Sequence, residues 1–298
     1  MMTTPWSIID SVVRSVCGRD VERLVPLTGG GMNETYRAEL PDGVAVIARI
    51  ARQPKPWFIN EAHLMTQARD LGVPTPEVLG VEHVDHDGEL LSFSIQRYLP
   101  GRSLDQFVGE LPHSDLERLV VDGGELLARI HSAVPDRGVR HQLRLPEDTA
   151  LARVVRIVDE ALGAEAATVV ERGAEFLREE VRTRPAPSLS LAQGDFLPKN
   201  LLVDNGVIVG VIDWEFAGPA PAAFDLARWE VSAGAPWHDR LDLLRRGYAR
   251  VADPEPAAAG LVPAFAVDWA LEKLGWKNPA SPAQFQRCID VIAHYVAP

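Results

Sequence analysis

Gln193-Gly194-Asp195-Phe196-Leu197-Pro198-Lys199-Asn200, followed twelve residues later by Ile212-Asp213-Trp214-Glu215, is the stretch on which the reading of this chain turns. Between the two pieces, Asp204-Asn205-Gly206 separates the strand-like runs 201–203 and 207–214, and Asn-Gly in that setting predicts a two-residue hairpin turn. Side chains alternate along a strand, so such a turn sets Asn200 opposite Val211 and on the same face as Asp213. Two oxygen donors on one face suit a hard divalent cation such as Mg²⁺, which takes few side chains and completes its shell with water and phosphate oxygens. Asp195 lies upstream, on the turn rather than in the hairpin. There it is placed to accept a hydrogen bond from a substrate hydroxyl.

Working outward, residues 24–27, 35–40 and 44–50 read as strands, with turns at 28–31 and at Pro41-Asp42-Gly43. From Trp57 to Leu71, Phe58, Glu61, Leu64, Met65 and Ala68 fall at helical spacing, and Gly72-Val73-Pro74 ends the helix. Two more strand-like runs, 77–84 and 90–98, flank the polar turn Asp85-His86-Asp87-Gly88. Leu99-Pro100-Gly101-Arg102-Ser103 then breaks the pattern and reads as a linker, giving an N-terminal lobe over 1–98 and a C-terminal lobe over 99–298. Beyond it the chain is helical. Ser114 and Glu117 have capping-box spacing at the start of an amphipathic helix that ends near His131, and 151–181 reads as one long helix or a pair. The expected fold class is therefore α+β, a small antiparallel sheet followed by a larger helical lobe.

A basic residue near phosphates and an acid to hold it would complete a phosphate-handling site, and Arg49 near the end of its strand with Glu61 on the next helix supplies the pair. The Gly29-Gly30-Gly31-Met32-Asn33 loop offers backbone N–H groups to cover phosphates. The formal net charge of −12 argues against a nucleic-acid partner and is compatible with a cationic small-molecule substrate. Two cysteines, Cys17 and Cys288, with no CxxC spacing point away from a disulfide framework or a zinc site. No run approaches the length of a membrane span, and no leader is apparent, so a cytoplasmic protein is expected.

On these residues the chain resembles the aminoglycoside phosphotransferase and choline kinase family, a branch of the bilobal protein-kinase-like fold. The family pattern His-Gly-Asp, four residues, Asn, then Ile-Asp-Trp-Glu is similar to residues 193–215, and Phe224-Asp225-Leu226-Ala227 is similar to the segment that follows it. Lesser likenesses run from about residue 22 to about 230. The resemblance implies ATP and Mg²⁺ as cofactors, Asp195 as catalytic base or orienting acid, and Asn200 and Asp213 as metal ligands. It implies nucleotide contacts at Arg49, Glu61, Gly30, Gly31, Asn33, Gln96 and Tyr98. It further implies phosphate transfer to a hydroxyl of a small, amine-bearing molecule, an antibiotic being the first expectation and choline, homoserine or an amino sugar the alternatives. Three positions depart from the pattern: Gln193 stands in place of His, Arg49 where many relatives carry Lys, and Ala220 where an acid is common. A nucleotide-binding protein without catalysis is the contrasting class. Asp225 is expected to brace the loop around Asp195 or cap a helix, and Asp268, Glu272, Trp269 and Trp276 are the residues with which an amine would be held, against the plainer reading of a helical core with a solvated acidic face.

Overall fold

The computed structural model describes residues 4–27, 33–52, 57–144, 147–184, 186–234, 237–252, 260–275 and 282–297. In chain order its strands and longer helices are α1 (Trp6–Cys17), β1 (Arg23–Pro26), β2 (Glu34–Glu39), β3 (Ala45–Ala51), α2 (Trp57–Asp70), β4 (Val78–His86), β5 (Glu89–Arg97), β6 (Arg102–Ser103), α3 (His113–His131), α4 (Asp148–Leu162), α5 (Ala164–Thr183), β7 (Ser190–Ala192), β8 (Leu201–Asp204), β9 (Val207–Val211), β10 (Gly218–Ala220), α6 (Ala223–Ser232), α7 (Leu241–Tyr248), α8 (Leu261–Leu274) and α9 (Pro282–Val296). They fall into two units. The first comprises residues 1–102 together with 202–215, and the second 103–201 with 216–298. The hairpin that carries Asp213 thus groups with the first unit, whereas the sequence reading put it with everything after residue 98.

In the first unit, five strands form an antiparallel sheet in the order β1-β2-β3-β5-β4. Strand alternation gives this sheet two different faces. Val46, Ala48, Ile50, Leu91, Phe93 and Ile95 point to one side, where Ile9, Val12 and Val13 of α1 close an apolar core. Burying such side chains contributes about 1.5–3 kcal/mol each, so this face holds the unit together. The register pairs Arg49 with Ser94 and Ile47 with Gln96, which turns Arg49, Ser94 and Gln96 to the other face. α2 presents Phe58, Glu61, Leu64, Met65 and Ala68 as its buried positions, the five that fall at helical spacing in the sequence. Asn205 and Gly206 both have positive φ, 48° and 76°, so the hairpin turn between β8 and β9 has the primed geometry expected of Asn-Gly.

The second unit is mainly helical. α3 starts at His113 behind Pro112, with no side-chain cap, so Ser114 and Glu117 do not form the capping box their spacing suggested. Proline already fixes the φ needed to enter the helix, and Glu117 is drawn instead to His113, 3.2 Å away. The 151–181 region resolves into the pair α4 and α5, which meet at Gly163. Trp229 and Trp237 are buried in this unit. Among the described residues no helix is long and apolar enough to cross a membrane.

Candidate active site

Asp195 sits on the loop between β7 and β8, and the conformation of that loop follows from one glycine and one buried acid. Gly194 has φ 88°, and a Cβ there would lie 2.3 Å from the Phe216 carbonyl oxygen, so a side chain is excluded on both counts. Asp225, fully buried on α6, accepts hydrogen bonds from the backbone N–H groups of Gln193 (2.8 Å) and Gly194 (2.8 Å) and from His131 Nε2 (3.1 Å). Burial works against the charge on Asp225, but the bonds from His131, Gly194 and Gln193 outweigh it and hold this carboxyl below its ordinary range. The Tyr248 hydroxyl lies 3.1 Å from His131 Nδ1, so α3, α6 and α7 are all tied to the loop. Asp225 is therefore the brace the sequence suggested.

The substitution at position 193 has a structural answer. Gln193 Oε1 accepts the Asp195 backbone N–H at 2.7 Å, so the side chain at this position still fixes the peptide of the acid. The Asp195 carboxylate is held from three directions: Oδ2 by Lys199 Nζ (2.7 Å) and Asn200 Nδ2 (3.0 Å), Oδ1 by Arg228 Nη2 (3.0 Å). Asn200 Nδ2 also donates to the Asp195 carbonyl at 2.8 Å. Lys199 is half exposed and pairs with Asp195. Arg228 was not singled out in the sequence. It is 6% exposed, and its guanidinium lies 3.8 Å from the centre of the Trp269 ring. The signal was available: Phe224-Asp225-Leu226-Ala227-Arg228-Trp229 is apolar apart from two charges three residues apart, which a helix places on one face.

Asp195 opens onto a cavity of about 590 Å³ within the second unit. Arg228, Trp269, Asp268, Glu272, Lys273 and the 139–144 segment line it. That segment is laid along β10 by bonds from Val139 N to Ala217 O and from His141 N to Pro219 O, both 2.9 Å, and His141 stacks on Phe224. Asp268 is half-buried, and burial first and the charge of Glu272 next push its carboxyl up to about 7.

The first unit holds a second cluster. Arg49 Nη1 pairs with Glu61 Oε1, and Arg49 Nη2 lies 3.1 Å from Asp213 Oδ1 and 3.8 Å from Glu215 Oε2. Burial opposes the Arg49 charge, yet Glu61, Asp213 and Glu215 more than offset it and hold the guanidinium above its ordinary range. Three carboxylates face one cation. Glu215 is accordingly pushed up, by burial first and by Asp213 next. Glu61 Oε1 also accepts the Trp214 backbone N–H at 3.2 Å, while Glu61 Oε2 is buried without a hydrogen-bond donor among the described residues. Asp213 adopts φ 61°, a left-handed conformation that costs a non-glycine residue about 1–3 kcal/mol and persists only where its surroundings enforce it.

Of the other sequence candidates, Asn33 donates to Glu215 Oε2 at 3.0 Å and so joins the Arg49 cluster. Gln96 is buried on the same sheet face as Arg49 and donates to Ser94 Oγ. The Tyr98 ring is covered by the Arg37 guanidinium, 4.4 Å from its centre. Gly30, Gly31 and Trp276 lie outside the described residues. Asn200 belongs to the second unit and Asp213 to the first.

Comparison with known proteins adds the decisive observation: the family model described as "phosphotransferase enzyme family" matches residues 23–261. The chain belongs to the phosphotransferase enzyme family. Its fold is the α+β, protein-kinase-like fold of the aminoglycoside phosphotransferases. Among solved structures, a thermostable mutant of the aminoglycoside phosphotransferase APH(4)-Ia, in ternary complex with ADP and hygromycin B, is 20% identical. The match covers 97% of this chain and 99% of that one, with a TM-score of 0.68. The spectinomycin phosphotransferase APH(9)-Ia, in complex with ADP and spectinomycin, is 14% identical over 99% of each chain, with a TM-score of 0.69. A putative fructosamine-3-kinase from Thermobifida fusca YX-ER1 is 20% identical over 97% of this chain and 99% of that one, with a TM-score of 0.65. No curated protein matches in sequence.

Proposed function

We propose that this phosphotransferase moves the γ-phosphoryl group of ATP, with Mg²⁺, to a hydroxyl of a small molecule, and that Asp195 orients that hydroxyl. The observation that carries the reading is the Asp195 carboxylate: charged partners on both oxygens and a loop braced by Asp225 hold it at the wall of a cavity large enough for a small molecule. Phosphoryl transfer asks little covalent chemistry of a protein and is accelerated by positioning and charge neutralisation, so a rigid acid of this kind is what the reaction needs. The family match and the nucleotides bound to similar proteins support ATP as donor.

The residues present fit a divalent cation. Around Arg49 the carboxylates of Glu61, Asp213 and Glu215 exceed the local positive charge, and their donors are the oxygens that Mg²⁺ prefers. Among the described residues there is no group of three or more His, Cys, Asp or Glu arranged to hold a metal alone. Mg²⁺ is commonly bound through one or two carboxylates and completed by water and phosphates. In this reading Asp213 is one ligand and Asn200, through Oδ1, the other. When bound, Mg·ATP supplies the phosphoryl group and the metal offsets its charge. Arg49, kept charged and oriented by Glu61, is assigned to the phosphate oxygens, with Asn33, Gln96, Tyr98, Gly30 and Gly31 as the further nucleotide contacts.

The test is ADP release with Mg·ATP across a panel of hydroxyl-bearing acceptors, with nucleotide affinity measured in parallel. Asp195→Ala is expected to lower turnover at least about a hundredfold while retaining nucleotide affinity. Asp213→Ala is expected to lose the Mg-dependent part of that affinity. Wild-type turnover in Asp195→Ala would overturn the assignment.

A further inference from the structure

The groups by which an amine-rich acceptor would be recognised are already engaged within the protein. Trp269 offers an aromatic face to the cavity, but the Arg228 guanidinium already stacks on the ring at 3.8 Å, and Trp269 Nε1 donates to Ser232 Oγ at 2.6 Å. Asp268 accepts a backbone hydrogen bond from Arg144, and burial together with Glu272 pushes its carboxyl to about 7, which weakens its negative charge at neutral pH. Asp195 is shared between Lys199 and Arg228.

The charges lining the cavity point the same way. Arg140, Arg144, Lys199, Arg228 and Lys273 bring positive charge to its wall. Asp105, Asp195, Asp268 and Glu272 are the acids. Setting aside Asp195 with its two partners leaves Arg140, Arg144 and Lys273 against Asp105, Asp268 and Glu272, with Asp268 partly neutralised. Either way, among the described residues that line the cavity acid is not in excess. A polycation is desolvated at least cost where carboxylates outnumber cations, because each ammonium group moved beside a guanidinium loses hydration and meets a like charge.

We infer that the acceptor of this enzyme carries no net positive charge and is a neutral or acidic hydroxyl compound held by Arg140 and Arg144, not a polyamine. This rests on the phosphotransfer reading above and departs from the amine-bearing acceptor expected from the sequence. The experiment compares kcat/KM for ADP release with polycationic acceptors (kanamycin, hygromycin B and spectinomycin) and with amine-free ones (uridine, inositols and uronic acids). Both sets are run with the wild type and with the exposed double variant R140E/R144E. At least a tenfold preference for amine-free acceptors is expected in the wild type, shifted at least tenfold toward the polycations in the variant. A wild-type preference for polycations would overturn the inference and leave phosphotransfer standing. An unshifted preference in the variant would also overturn it, because Arg140 and Arg144 would then play no part. Absence of turnover with every acceptor, from protein that binds Mg·ATP, would overturn phosphotransfer itself and the inference with it.

Discussion

Arg228 shows how much a single side chain contributes to this site. Burial lowers its pKa, and the charges of Asp195, Asp225 and Glu272 oppose that shift. A guanidinium offers a rigid fork of donors, and here one arm fixes Oδ1 of the acid while the plane rests on Trp269. An ammonium would keep the charge and lose the stacking. Arg228→Met is expected to reduce turnover about tenfold to a hundredfold with little change in nucleotide affinity, because a small displacement of a positioned acid is enough for such a loss. Arg228→Lys should recover part of it. Steady-state kinetics with an active acceptor, alongside nucleotide titration, distinguishes this from general unfolding, which would depress both readouts together.

At the scale of elements, α3 and α7 approach closely enough that their glycines have no room for a methyl group. A Cβ on Gly124 would lie 2.0 Å from Leu244 O, and one on Gly247 would lie 1.8 Å from Val121 O. In each case the obstacle is backbone, which cannot rotate away. Gly247→Ala is therefore expected to destabilise the protein by at least about 1–3 kcal/mol, the usual cost of overpacking, even though alanine is the better helix former. Thermal or urea unfolding measures it, and an increase in stability would show that the two helices separate without penalty. The contact also matters to the site, since α7 carries Tyr248 and α3 carries His131, the two residues behind Asp225. The β8–β9 hairpin and the buried face of α2 were legible in the sequence because turn chemistry and helical spacing are local. The capping box was not formed because Pro112 had already set the entry to α3.

For the molecule as a whole, acid stability should depend on Asp225. Its folded pKa is depressed, so its stabilising contribution is complete above the ordinary Asp pKa and is lost as pH falls through the depressed folded value. Asp225→Asn removes the charge and leaves the Gln193 and Gly194 N–H groups without the carboxylate they share, at a cost of about 3–5 kcal/mol near neutral pH. Denaturant unfolding from pH 7 down to pH 3 should show the gap between wild type and variant narrowing toward the acid end. A gap that stays constant would mean that Asp225 acts by shape alone. By itself, the sequence determined the α+β class, the Asn205-Gly206 turn, the Glu61 face of α2 and the motif that carries Asp195, because each rests on neighbouring residues or a short fixed spacing. Only the tertiary structure decided that Arg228 holds Asp195, that Gln193 does so through Oε1, and that the described residues of the cavity wall carry no excess of acid. Those outcomes join residues far apart in the chain, and a buried charge acquires its meaning from partners that only folding brings within reach.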